Sequence, residues 1–172
     1  MKISNEMNLI PFNYVENGQP TGLSVEYMQE IANIIGVEFE FINGYSWDEL
    51  LHMFKNKEID LIQSAIKIES RLKYSVFSKP YIQLKNVLIV NENNKDINSF
   101  SDMKGKTITA IKGYPSREIY EKEYPNIKIL EVDDEVNSLK AVSTGKADAY
   151  YANKKVASSL INDENITNLK FV

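Results

Sequence analysis

The sequence contains no cysteine and a single histidine. The first absence excludes disulfides and thiolate chemistry and leaves the redox compartment open. Together the two exclude Cys-His nucleophile pairs and Cys- or His-rich metal sites. The one histidine, His52, sits in a stretch of helical periodicity and reads as a surface or packing residue. A serine triad would have to run through it, and no Gly-x-Ser-x-Gly elbow supports one. No Gly-rich loop follows the Walker or dinucleotide pattern. Apolar runs stay short of the roughly 18 residues that a membrane-spanning helix needs. An excess of basic charge is also missing. Twenty Lys and Arg face 24 Asp and Glu, a formal net charge of −4, with no basic stripe. Nucleic acid is therefore not expected as a partner, because phosphate backbones demand clustered cations. The opening MKISNE has no apolar signal-peptide core, so an exported protein is expected to be represented here by a piece of its chain. No catalytic residue, no metal ligand set and no cofactor are assigned.

What is present suffices for a folded α/β protein. Hydrophobic residues make up 43% and charged residues 26% of 172 positions, enough to bury a core in one domain or two small lobes. "KIS" reads as an opening strand. Asn17-Gly18 and Pro20-Thr21-Gly22 signal turns. Ser24 is expected to cap a helix that turns Val25, Met28, Ile31, Ala32 and Ile35 inward and stops at Gly36. "VEFEFI" alternates as a strand. "SWDE" forms a capping box ahead of a helix carrying Trp47, Leu50, Leu51 and Phe54. "IDLIQSA" is the next expected strand.

The second half repeats the plan. "KTITAI" and "NIKILEV" are strands, and Pro115 suits the first turn of the helix between them. A helix follows Asp134 with Val136, Leu139 and Val142 inward and ends at Gly145. "ADAYYA" is a strand, and Asn153 can cap a last helix with Val156, Leu160 and Ile161 inside. Asp133 and Asp134, with Glu131 and Glu135, read as a solvated turn. An internal echo links the halves. "LLHMFKNKEIDLIQSA" and "LKAVSTGKADAYYAN" both run from helix to lysine-bearing turn to aspartate (Asp60, Asp148) to strand. Alternating strands and helices predict parallel sheets with helical crossovers, arranged as two similar lobes or as one sheet. Two lobes would divide near the polar run after Val90, giving residues 1–90 and 91–172.

Ligands of parallel α/β sheets collect at the carboxyl ends of strands. Several candidate binding residues fall there. Ser64 and Ala65 end "IDLIQSA", and Ile66 and Arg71 follow it. Gly113, Tyr114 and Ser116 follow "KTITAI" at a helix N-terminus able to hold an anion. Asn153 follows "ADAYYA", and Phe12 and Tyr14 follow the first strand. Arg71 supplies a fork-shaped donor for a carboxylate, and the aromatics supply flat apolar walls. Each has a plainer role open to it. Arg71 can pair with Glu69 or another acidic neighbour, Asn153 can serve only as a cap, and Phe12 can belong to the core.

"PFNYVENGQPTGLSVEYMQEIANIIG", "SWDELLHMFKNKEIDLI", "ESRLKYSVFSKPY", "DMKGKTITAIKGYPS" and "AVSTGKADAYYAN", in that order, resemble the bacterial extracellular solute-binding proteins of family 3, the Venus-flytrap or type II periplasmic binding fold. The resemblance covers nearly the whole chain and is nearest to sensor domains of hybrid histidine kinases. It implies a non-enzymatic, two-lobe binding domain on the periplasmic or extracellular face of a bacterial membrane. Such a domain closes on a small anionic or amino-acid-like ligand. It serves a membrane-anchored signalling protein or, alternatively, an ABC transporter for amino acids or organic acids. Position by position, Arg71 matches an arginine that clamps an α-carboxylate, Ser64 a contact position, Gly113 to Ser116 a loop whose amides meet the same carboxylate, and Tyr14 a cleft aromatic. A dehydratase on this fold would need a cleft carboxylate with a raised pKa, and no candidate surpasses Glu6 or Glu26.

The sequence departs from the family pattern in three ways. Ile66 and Ile68 stand where amino-acid binders usually place Ser or Thr, and they offer no side-chain hydrogen bond. Asn153 replaces the acidic residue that holds an α-ammonium. Both favour a carboxylate ligand without an obligatory ammonium. Finally, the chain stops at "ITNLKFV", where the return into lobe one would begin. The C-terminal return segment of lobe one is thus expected to be missing or supplied from elsewhere, and self-association through the incomplete lobe is a further expectation.

Overall fold

The computed structural model describes residues 1–172. The chain forms two compact units, Met1–Tyr81 and Ile82–Val172. The expected boundary after residue 90 falls instead ahead of the strand Asn86–Asn91. That strand pairs along most of its length inside the second unit's sheet, so cutting after it would break a ladder.

In the first unit, β1 (Lys2–Ser4) leads to an antiparallel meander of β2 (Asn8–Leu9), β3 (Asn13–Glu16) and β4 (Gln19–Thr21). Asn17 and Gly18 both have positive φ (51° and 77°), as a tight two-residue hairpin turn requires. Pro20, expected in a turn, lies instead in β4. It is tolerated because β4 is an edge strand, where a missing N–H breaks no inner ladder. α1 (Leu23–Ile35) is capped by Gly22, not by Ser24, which lies inside the helix with its hydroxyl engaged elsewhere. Val25 and Ala32 are buried as expected, but Ile35 is 58% exposed. At 3.6 residues per turn, Ile35 has drifted about 80° from Val25.

β5 (Glu40–Ile42) pairs parallel with β1, and the short partner limits its length. α2 (Trp47–Lys55) begins with the expected capping box. Ser46 N donates to Glu49 Oε2 at 2.7 Å and Glu49 N donates to Ser46 Oγ at 3.4 Å. The strand expected over "IDLIQSA" is reduced to one parallel bridge, Leu61 to Ile3. Its ladder stops early because Gln63 N turns to Ser4 Oγ and Ser64 takes a left-handed φ of 58°.

The second unit holds β6 (Asn86–Asn91), β7 (Thr107–Ile111), α3 (Ser116–Glu123), β8 (Lys128–Val132), α4 (Glu135–Ser143), β9 (Ala149–Asn153), α5 (Lys154–Asp163) and β10 (Leu169–Phe171). Its sheet runs β10-β6-β9-β7-β8, with β7 parallel to both β8 and β9. Leu88, Val90, Ile108, Ala110, Tyr120 and Ala149 join Ile97 and Met103 in a buried cluster. Leu139 and Val142 of α4 are also fully buried.

The two units share a plan. A central strand (β1 or β7) has a parallel neighbour (β5 or β8) on one side and the post-helical aspartate segment on the other. No helix is long and apolar enough to cross a membrane.

Candidate functional site

In the first unit, polar side chains gather where β1 and residues 59–63 end. Ser4, Asn5, Glu6, Asn13, Gln63 and Arg71 are all buried. Gln63 Nε2 donates to Ser4 O at 2.8 Å and to Asn5 Oδ1 at 3.1 Å. Asn5 Nδ2 in turn donates to the carbonyls of Glu6 and Tyr14, both at 3.1 Å. Burying polar groups costs free energy unless they bond one another. The bonds of Gln63 and Asn5 tie β1, the meander and the 59–63 segment together, while Asn13 Oδ1 and Nδ2 and Gln63 Oε1 are buried without a hydrogen-bond partner. The Asn5 bond fixes the backbone of Tyr14, whose ring is half-buried, while Phe12 is packed inside at 4% exposure.

Arg71 lies in a short 3-10 helix, Glu69–Lys73. Its Nη1 donates to Ile66 O at 2.9 Å, and its guanidinium carbon lies 5.4 Å from the Trp47 ring centre. A guanidinium stacked on indole keeps its plane and direction, which suits a fork-shaped donor. The capping box at Ser46 fixes the helix start that carries Trp47. Ala65 is half-buried, and the Ile66 side chain is 55% exposed. Ser64 Oγ bonds the hydroxyls of Ser24 and Tyr81.

In the second unit, Gly113 has φ 74° and Tyr114 N donates to Ile111 O at 3.0 Å, so the chain turns tightly after β7. Two side-chain ties hold this loop to the start of α4. Lys112 Nζ meets Asp133 Oδ1 at 2.7 Å, and Tyr114 OH donates to Glu135 Oε1 at 2.6 Å. Glu135 corrects the expectation of a solvated acidic turn. Asp134 does cap α4, accepting from Asn137 N at 2.7 Å, but Glu135 is buried. Burial pushes its carboxyl up, and the Tyr114 hydrogen bond pulls the other way. Ser116 opens α3. Arg117 is held by Glu131 at 2.6 Å and Glu121 at 2.8 Å. Asn153 caps α5. Its Oδ1 accepts from Lys155 N at 3.0 Å and Val156 N at 3.2 Å, and its Nδ2 donates to Lys85 O at 3.2 Å.

Of the residues singled out from the sequence, Ile66 and Arg71 are in direct contact, and Ser64 is bonded to the hydroxyl pair of Ser24 and Tyr81. Tyr114 is joined to Glu135, whereas Asn153 is joined to Lys85. Sequence reasoning missed Ser24, Trp47, Tyr81 and Glu135 as partners of these residues. The capping box was the one local signal that located Trp47. The other three are distant in sequence from what they touch.

Parallel strands joined by helices in each unit make this an α/β protein. A comparison over residues 1–170 matches the family of bacterial extracellular solute-binding proteins, family 3, and the chain belongs to that family. Among its relatives, the probable amino-acid-binding protein YxeM of Bacillus subtilis is 31% identical over 151 residues, 85% of this chain and 56% of that protein. The chain thus spans little more than half the length of this relative. An ancestral arginine-binding protein solved with arginine bound superposes with a TM-score of 0.86 at 25% identity, over 99% of this chain and 77% of that one. A histidine kinase sensor domain with similarity to periplasmic binding proteins superposes with a TM-score of 0.91 at 20% identity, over 100% and 75%. These likenesses confirm the periplasmic-binding fold expected from the sequence, and the family is one of solute-binding proteins.

Proposed function

We propose that this chain is the extracytoplasmic ligand-binding part of a membrane-bound sensor, closing on a small carboxylate that carries no obligatory ammonium group. Arg71, Ser64, Ala65 and Ile66 would supply the first unit's contacts, with Tyr14 as apolar wall, while Phe12, at 4% exposure, belongs to the core. Gly113, Tyr114 and Ser116 would supply the second unit's. A ligand that touches both units favours the closed state by its differential affinity, and that shift is the signal.

The observation that carries the ligand class is the hydrogen bonding of Asn153. The position expected to hold an ammonium is a neutral amide, and its oxygen already serves two helix N–H groups. With Ile66 and Ile68 offering only hydrocarbon, the candidate residues contain a cation and no side-chain anion. The sensor reading is supported by the close superposition on the kinase sensor domain. A transporter-delivery role is the second reading, favoured by likeness to a probable amino-acid ABC transporter-binding protein of Haemophilus influenzae, 27% identical over 149 residues.

A thermal-shift screen of organic acids against L-amino acids tests the ligand class. Organic acids are expected to raise the melting temperature most, and greater stabilisation by amino acids would reverse the choice.

A further inference from the structure

Tyr81 closes the first compact unit, and its hydroxyl is one corner of a triangle. It lies 2.9 Å from Ser24 Oγ and 3.1 Å from Ser64 Oγ, and Ser64 Oγ donates to Ser24 Oγ at 3.0 Å. Each hydroxyl can donate once and still accept, so the ring satisfies all three members. Ser24 is fully buried in the first turn of α1, which makes it a fixed post. The Tyr81 ring stacks on Tyr27 at 4.9 Å with a 14° interplanar angle.

Two features around the triangle call for such an anchor. Ser64 has φ 58°, a left-handed conformation that is unfavourable for serine and persists only when the surroundings impose it. Residues 74–80 approach Tyr81 without regular secondary structure, and Val76 among them is 98% exposed. Ring packing alone would hold a phenylalanine here equally well. The hydroxyl adds a bond to the residue whose backbone is strained and another to a buried helix.

We propose that Tyr81 is a positioning residue. Through Ser24 and Ser64 its hydroxyl holds the left-handed turn that sets the course of Ala65 and Ile66, and it fixes the point where the chain leaves the first unit. The consequence for ligand binding rests on the contact role proposed above for residues 64–66. The geometric role does not.

The test is NMR of the full chain with Tyr81→Phe and Ser24→Ala. Each keeps the buried cores, so the resonances of β7, β8 and β9 are expected to stay in place. The Ser64 Cα and Cβ shifts are expected to leave left-handed values. The order parameters of the Lys79 and Tyr81 amides are expected to fall from about 0.85 to below about 0.6. Unchanged Ser64 shifts and order parameters in Tyr81→Phe would overturn the proposal and leave the ring as the anchor. Should Tyr81→Phe fail to fold, Ser24→Ala removes a different corner of the same triangle and decides by the same shifts.

Succinate titration supplies the second readout. A loss of about fivefold in Tyr81→Phe, the worth of one hydrogen bond, is expected. Equal succinate affinity in both proteins would overturn the link to binding. Absence of succinate binding in the wild-type protein would count against the ligand reading, and the Ser64 shifts would still decide the positioning role.

Discussion

Asp148 and Thr107 grip each other twice. The Asp148 N–H donates to Thr107 O at 2.8 Å, and the Asp148 carboxylate accepts from Thr107 N at 2.7 Å. The same pair of bonds joins Asp60 to Lys2, at 2.9 and 2.7 Å. In each unit an aspartate after a helix therefore clamps the first residue of the central strand, which fixes the register of the segment that follows.

Removing either carboxylate orphans a strand N–H. Asp148→Ala is expected to lower stability by about 1.5–3 kcal/mol, as for a charged hydrogen bond, and Asp60→Ala by less because Asp60 is more exposed and water replaces it. Urea unfolding of both variants checks the order. Equal and negligible losses would show that the clamp contributes nothing.

Gly22 is required by space and by conformation. Its φ is 113°, and a Cβ there would lie 2.5 Å from Phe12 O and 2.9 Å from Pro11 O. Both obstacles are backbone, and both carbonyls accept bonds from the start of α1, at Ser24 N and Leu23 N. Gly22→Ala is expected to cost about 2 kcal/mol or more, measured by the same unfolding experiment.

Glu135 gives a pH signature. Its carboxyl is raised chiefly by burial, with the Asp134 charge adding to the shift. The unfolded chain, titrating near pH 4.3, therefore loses this proton before the folded chain does. Glu135's contribution is fully present below that pH and falls as pH rises toward its folded value. Glu135→Gln, which can still accept from Tyr114, is expected to gain on the wild type steadily as pH rises above about 4. A constant difference across pH 4 to 7 would contradict the shift.

Asn153→Asp separates capping from ligand recognition. Aspartate caps a helix as well as asparagine and suits the positive end of α5, so the helix is expected to survive. The bond to Lys85 O is lost with the amide N–H. If this position decides against an ammonium group, the variant is expected to shift the ligand preference toward L-amino acids. Thermal shift with the two ligand classes measures this.

Much of the fold was legible because its signals are local. The capping box at Ser46, the Asn153 and Asp134 caps, and the β7, β8 and β9 strands all rest on residues adjacent in sequence. The echo around Asp60 and Asp148 was legible for the same reason. The losses share one cause. "IDLIQSA" has strand composition, yet Ser64 leaves the ladder for hydroxyls 40 and 17 residues away. Ser24 looks like a cap, yet Gly22, pressed against the Phe12 backbone, takes that place. Glu135 looks solvated among acids, yet Tyr114, 21 residues earlier, covers it. Period and composition do not report such distant partners.

The central claim is that Arg71 receives the negative group of a small ligand. Titration calorimetry of the best organic acid from the screen, against wild-type protein and Arg71→Lys, tests it most directly. Lysine keeps the charge but loses the fork and the stacking on Trp47, so affinity is expected to fall about tenfold or more, with circular dichroism unchanged. Equal affinity in the two proteins would contradict the account.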